Sequence, residues 1–371
     1  MSSWGTWTVG DTTFTNKREA VLYASTNGCP DIKWNWHNHV FASFDRTLMG
    51  TQSLSMLYKQ RAQQLRDTYD HLVLFYSGGA DSHTILMSFI NNGIKLDQIY
   101  VNWPKHTIRN GVYVPNTQDI TAKNLLSEWD LVVEPTLKWL SSAHPEIHIE
   151  IGDWSENISE HYYTDNRFLE TSVFWGAGAL LRNLNKPKVA TSMLDKGKTV
   201  ASIYGFDKPF VATWGDGMVG MYFTDITFHI ASNSVGAFEP FYWSPSMPEL
   251  PFEMAYQMFL FYKENPSAQQ YMWREPLAHH RNTIVEYNNE LTKRICYKDT
   301  WDLNKFQAGK PTTAARTDRD FWLYENPEFE RTIDAWKYHY NGLLDGINNS
   351  YHGEGASLKS SRTPAFTIGK L

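Results

Sequence analysis

Cysteine is nearly missing from this chain: two in 371 residues, Cys29 and Cys296. Two thiols so far apart build no disulfide framework and form no CxxC pair. That argues against a zinc ribbon and against sulfur-carrying chemistry, and it fits a reducing, cytoplasmic location. Long apolar runs are missing too. None approaches the roughly 18 residues of a membrane span, so no membrane partner is expected. Residues 1–10 have neither a basic start nor an apolar segment, so no secretory signal is expected. There is no basic surplus: 34 Lys and Arg against 40 Asp and Glu leave a formal net charge of -6. Non-specific nucleic-acid binding therefore has no strong signal in the totals, although a local basic groove stays open. No internal repeat occurs.

Aromatic residues are plentiful, at 15% with 15 Trp. They could supply stacking surfaces for bases or rings. Because the tryptophans are scattered rather than grouped, packing in a core is the expectation. At 371 residues the chain can bury a large core, as one big domain with additions or as two.

The most informative stretch is residues 71–92, HLVLFYSGGADSHTILMSFINN. Leu72, Val73, Leu74, Phe75 and Tyr76 are the continuous apolar run of a strand covered on both faces. Ser77, Gly78 and Gly79 break it. From Ser82 onward Ile85, Leu86, Phe89 and Ile90 recur at helical spacing, and Asn92-Gly93 is a helix stop. A strand, a glycine turn and a helix start together make an anion site. The first helical amides have no partner within the helix, and the helix dipole adds partial positive charge. Gly78 and Gly79 permit close backbone approach, Ser77 and Ser82 add hydroxyl donors, and Asp81 can hold a divalent cation. No lysine follows the turn, so this is not the GxxxxGK[ST] loop. The alternative is an ordinary glycine-rich turn.

SGGADS resembles the SGGxDS pyrophosphate loop of the N-type ATP pyrophosphatases, the group that includes asparagine, GMP and NAD synthetases and 7-cyano-7-deazaguanine synthase. The resemblance implies that Ser77, Gly78, Gly79, Ala80, Asp81 and Ser82 grip the pyrophosphate of ATP, with Mg²⁺ near Asp81. The longer segments LYKQRAQQLRDTYDHLVLFYSGGADS, YGFDKP and YKDTWDLNKFQAGKP look like bacteriophage-encoded asparagine synthase-like proteins, in which case a host cytoplasm is implied. One departure matters. Asparagine synthetase begins with a glutaminase domain whose nucleophile is a cysteine directly after Met. Here Ser2 and Ser3 follow Met1, so glutamine hydrolysis is not expected.

The rest of the chain reads in order. Strand-like pieces at 7–9 and 12–15 and a helix at 17–25 precede an aromatic-polar loop, Trp34 to His39. His37 and His39 suit a metal only on a strand, and no third ligand is in view. Ser53 caps a helix with an apolar stripe of Leu54, Leu57, Tyr58, Ala62 and Leu65, whose Arg61 and Arg66 are solvated or paired. Strands are expected at 96–102, 146–151 and 199–204, with helices at 117–143 and 168–184. The alternation argues for a doubly wound parallel α/β sheet, with ligands at the carboxyl ends of its strands. The linker residues Lys105, His106 and Arg109 read as an exposed loop or as a flap near ATP.

That rule selects Gly205, Asp207 and Lys208, just past the fourth strand. Asp207 could share Mg²⁺ with Asp81, and Lys208 could neutralise charge on departing pyrophosphate, unless the segment is a plain surface turn. A hairpin turning at Gly215-Asp216-Gly217 follows, then an apolar helix at 253–263. His279, His280 and Arg281 point in different directions on a helix. Residues 295–311 read as a substrate or partner loop, with Lys305, Gln307 and Lys310 its donors. The expected organisation is an N-terminal extension (1–70), an ATP-binding α/β domain of the pyrophosphate-loop type (71–235), a mostly helical region (236–353) and a disordered tail (354–371).

The leading expectation is an AMP-forming ligase that adenylates a substrate oxygen and then admits ammonia or an amine. The acceptor is unknown. A nucleotide-binding or virion-associated protein without turnover is the alternative, with homo-oligomer or virion contacts. A sulfonucleotide reductase is a weaker one, because its C-terminal cysteine is absent.

Overall fold

The computed structural model describes residues 5–15, 17–29, 31–103, 132–153, 186–205, 208–225, 234–274, 290–302, 306 and 361–371. The chain opens with β1 (Thr6–Val9) and β2 (Thr12–Phe14), then α1 (Lys17–Thr26) and β3 (Ile32–Asn35). The three strands form an antiparallel sheet in the order β2-β1-β3. A short helix, α2 (Asn38–Ala42), follows. The expected loop at Trp34 to His39 is thus part strand and part helix. Trp34 pairs with Trp7 across the sheet, and both are buried along with Trp36. Indole rings on a short strand are better satisfied against a core than in water.

Next comes α3 (Leu54–Thr68), whose N-cap Ser53 accepts from the Met56 amide at 3.3 Å. Leu57, Tyr58, Ala62 and Leu65 form its buried stripe. The chain then runs β4 (His71–Phe75), α4 (Ala80–Ile90), β5 (Gln98–Trp103), α5 (Glu134–Ala143), β6 (His148–Asp153), α6 (Lys188–Asp195) and β7 (Val200–Tyr204). A hairpin of β8 (Phe210–Thr213) and β9 (Met218–Tyr222) turns where expected, with Gly217 at φ +81°. After it come β10 (Ala237–Pro240), α7 (Glu249–Glu264), β11 (Trp273–Arg274) and β12 (Phe366–Lys370). The expected helix at 168–184 lies outside the described residues. So do Lys105, His106, Arg109 and the His279 to Arg281 group.

The main sheet is five-stranded and all parallel, in the order β10-β7-β4-β5-β6. Its side chains divide between two faces by the period-two rule. Leu72, Leu74, Ile99, Val101, Ala201 and Ile203 pack with Leu57, Leu65, Ile85, Phe89, Leu137 and Leu140, from α3, α4 and α5. Val73, Tyr100 and Val200 pack against Ala190 and Met193 of α6 on the opposite face. Helices on both faces make the sheet doubly wound, a Rossmann-like arrangement. The sheet runs past the boundary expected at residue 235, because β10 is its fifth strand.

Two polar clusters tie distant parts of the chain to this core. Asp225 accepts from Trp7 Nε1 at 2.6 Å and from the Ser361 amide at 2.8 Å. Arg362 continues the join, its carbonyl accepting from the Trp34 amide at 3.0 Å. The end of the chain is therefore not a free tail over its last residues. Arg362 bridges Lys33 of β3 and Thr224, just past β9, and β12 pairs antiparallel with β9. Phe366 and Ile368 are buried, and that apolar alternation outweighs the Ser, Gly and Lys content around it.

In the second cluster Arg61, only 1% exposed, donates to Glu239 Oε2 at 2.6 Å, to the Pro240 carbonyl at 3.1 Å and to Gln64 at 2.8 Å. Tyr69 donates to the other oxygen of Glu239. Arg66 is paired as well, with Asp97 at 2.6 Å. Burial lowers the pKa of the Arg61 guanidinium, and the adjacent Glu239 carboxylate opposes that shift. Removing one partner of such a pair strands the other in a low-dielectric interior. Glu239→Ala should cost about 3–5 kcal/mol in urea unfolding. Pairing that change with Arg61→Met should recover much of the loss.

Candidate functional site

The sheet order fixes where a ligand can enter. From β4 the chain moves outward through β5 to β6, then returns across the sheet to β7 on the other side of β4. Connections leaving β4 and β7 therefore diverge and open a crevice at the carboxyl ends of the two strands, the usual ligand site of such sheets. Residues 77–79 leave β4 and Gly205 leaves β7, and the Lys208 ammonium meets Asp81 beside that crevice.

The turn itself is built to leave amides open. Gly78 sits at φ +80°, a conformation glycine adopts without a Cβ clash. Gly79 is the N-cap of α4 and makes no side-chain cap. A serine or aspartate there would occupy the amides that follow. Ser82 Oγ accepts from the Ser77 amide, and Ser77 Oγ from the Gly79 amide, both at 3.3 Å; Ser82 Oγ also donates to the Gly79 carbonyl at 3.1 Å. Among the described residues, the amides of Gly78, Ala80, Asp81 and Ser82 donate to no protein acceptor. Gly78, Ala80 and Ser82 are buried. Unpaired amides at buried residues are uncommon, and at a helix start they suit an oxyanion.

Asp81 stands beside these amides on the first turn of α4. Its Oδ1 accepts from Lys208 Nζ and from Tyr297 Oη, each at 2.5 Å. Among the described residues, Oδ2 has no partner. The side chain of Asp81 is 29% exposed and that of Lys208 13%. Burial pushes the Asp81 carboxyl up, but the charges of Lys208 and Lys293 and the hydrogen bonds from Lys208 and Tyr297 outweigh it. The net shift is downward. The carboxylate stays ionised through the neutral range, and the stability this pairing adds is present above the ordinary carboxylate pKa. It is lost as pH falls through the lowered value.

A third wall comes from beyond the sheet. Residues 290–296 are helical, and Tyr297, Thr300 and Phe306 beyond them meet residues 81–84 of α4. Tyr297 meets Asp81, Thr300 Oγ1 lies 2.6 Å from Thr84 Oγ1, and the Phe306 ring lies 5.3 Å from His83. Tyr242 donates to the Asp81 carbonyl at 2.6 Å. Burial holds the Tyr242 and Tyr297 hydroxyls protonated, with pKa values well above normal. Lys208 Nζ lies 5.3 Å from the centre of the Tyr297 ring.

Most of the residues chosen from the sequence meet here: Ser77, Gly78, Gly79, Ala80, Asp81, Ser82 and Lys208. Gly205 serves by closeness, since a Cβ there would lie 3.0 Å from the Asp81 carbonyl carbon and 3.0 Å from the Ser82 nitrogen. Asp207, Lys305, Gln307 and Lys310 lie outside the described residues. Tyr242, Lys293 and Tyr297 were not anticipated. Tyr297 sits in the stretch 295–311 that composition marked as neither core nor linker, so the segment was legible while the residue was not. His37 and His39 have ring centroids 6.3 Å apart, and no group of three metal-ligating side chains occurs among the described residues. No helix among them is long and apolar enough to cross a membrane.

Compared with protein-family models, with curated proteins and with solved structures, the chain finds no match.

The packing of Gly205 gives a direct check. Gly205→Ala should push on the Asp81–Ser82 peptide and cost about 1–3 kcal/mol in urea unfolding. Gly215→Ala, with open space around it, should stay within about 0.5 kcal/mol of the parent protein.

Proposed function

We propose that the chain binds Mg·ATP on the turn from Ser77 to Ser82 and acts as an AMP-forming ligase of the ATP pyrophosphatase type. The observation that carries this reading is the set of four amides, at Gly78, Ala80, Asp81 and Ser82, that are unpartnered among the described residues and stand beside a carboxylate–lysine pair at the switch point of a parallel sheet. Amides and helix dipole suit phosphate oxygens. One carboxylate suits Mg²⁺, which keeps several waters and takes its other ligands from phosphates. Oδ2 of Asp81, without a partner among the described residues, is the atom available to it, and the ion would spread charge over the phosphates. When bound, ATP supplies the α-phosphorus that an acceptor oxygen attacks, with pyrophosphate leaving and ammonia or an amine then displacing AMP.

The chain's own groups do the rest by position and charge. The four amides hold the phosphates. Lys208, held beside Asp81, would neutralise charge building on the leaving group. Electrostatic groups fixed in advance can carry most of the rate of such transfers. The thiol beside the cluster is a poor nucleophile: Cys296 is 2% exposed, and burial pushes it up to about 12. A reductase that works through a thiolate is disfavoured by that environment.

A second reading, nucleotide binding without turnover, draws support from the pairing of Asp81 with both Lys208 and Tyr297. Two measurements separate the readings. With Mg·ATP and candidate acceptors, the ligase reading expects pyrophosphate and AMP, whereas ADP with phosphate contradicts it. Calorimetric binding of a non-hydrolysable analogue with no product from ATP supports the binding protein. Asp81→Asn should abolish turnover with an unchanged far-UV spectrum, and Lys208→Ala should lower kcat by roughly 10²–10³. Cys296→Ala should leave turnover in place.

A further inference from the structure

We infer that Tyr297 is a positioning residue for the divalent cation, aiming Asp81 at it through a hydrogen bond to one carboxylate oxygen, the other having no partner among the described residues. The inference rests on the Mg·nucleotide reading of the site and goes beyond it by assigning a role to the region beyond the sheet. Two donors converge on the same oxygen: Lys208 Nζ and Tyr297 Oη both reach Asp81 Oδ1 at 2.5 Å. A carboxylate fixed at one oxygen cannot rotate freely, so Oδ2 keeps one direction. Partners of this kind orient metal-binding carboxylates and raise affinity by about 10–100-fold.

Tyr297 is equipped for that task. It is 1% exposed, and its amide donates to the Lys293 carbonyl at 2.8 Å. Its carbonyl accepts from the Thr300 and Trp301 amides at 2.9 and 2.7 Å. The preceding residue is tied as well, because Tyr58 donates to the Cys296 carbonyl at 2.7 Å. The Tyr242 ring lies 5.4 Å from that of Tyr297, while the Tyr242 hydroxyl fixes the main chain of Asp81. Asp81 is thus held at its backbone by one tyrosine and at its side chain by another. Lys208 differs in kind. Its ammonium carries a charge that phosphates attract, whereas the neutral Tyr297 hydroxyl serves as a donor on Oδ1.

The test is Mn²⁺ binding, followed by the electron paramagnetic resonance of free Mn²⁺ in the presence of saturating ATP. Tyr297→Phe keeps the ring and removes only the hydroxyl. It should weaken Mn²⁺ binding about 10–100-fold, while metal-free pyrophosphate binds within twofold of the parent protein. Arg294→Gln breaks the partly exposed ion pair between Arg294 and Glu290 in the same segment and should leave Mn²⁺ affinity unchanged. Tyr297→His keeps a ring N–H donor and should lose less than the phenylalanine variant. Mn²⁺ affinity within twofold in Tyr297→Phe, equal losses in the histidine and phenylalanine variants, or an equal loss in Arg294→Gln would each overturn the inference. Failure of the parent protein to bind Mn²⁺ with ATP would instead sink the nucleotide reading beneath it.

Discussion

A strand paired on both edges can release its chain only at its ends, and β4 is such a strand. Parallel neighbours, β7 and β5, take its backbone groups on either side, and hydrophobic layers cover both its faces. Everything polar that the chain must do next to β4 is thereby pushed to its carboxyl end. There the exit turn meets the exit of β7, because the sheet order reverses between them. The site is a consequence of the topology: Asp81 and Lys208, 127 residues apart, meet because their strands are neighbours.

The outer parts of the chain serve that arrangement through polar ties placed in apolar surroundings. Asp225 gathers an indole from the first strand and an amide from the last segment, so the two ends of the chain close on one another. Around it Trp34, Trp36, Phe41, Phe223, Trp243 and Phe366 pack ring against ring. Arg61 ties α3 to β10 in the same way. Lone apolar contacts would tolerate sliding. A buried guanidinium with three acceptors does not, since any shift strands a charge.

How much of this was legible beforehand follows from the range of the interactions. The strand and helix around SGGADS are written locally, by an apolar run and a 3.6-residue period, and β4 and α4 lie within two residues of expectation. The β8–β9 hairpin was equally local, its turn marked by two glycines round an aspartate. Residues 361–371 were misread because their place depends on β9 and Asp225, more than 130 residues away. The tryptophans scattered along the sequence likewise gave no sign of converging on one cluster. For the site, residue chemistry pointed to the turn and to Lys208. Tyr242, between Phe241 and Trp243, reads first as core, and Tyr297 lay in a stretch marked for a substrate or partner with nothing to single out the residue itself.

The account depends on the amides of Gly78, Ala80, Asp81 and Ser82 serving phosphate oxygens. The most direct measurement is an amide nuclear magnetic resonance titration of ¹⁵N-labelled protein with pyrophosphate and then with Mg·ATP. The account predicts that these four amides shift together, along one saturable curve, while amides of the β8–β9 turn stay still. Four unmoved amides at saturating nucleotide, or shifts confined to another face of the protein, would contradict it.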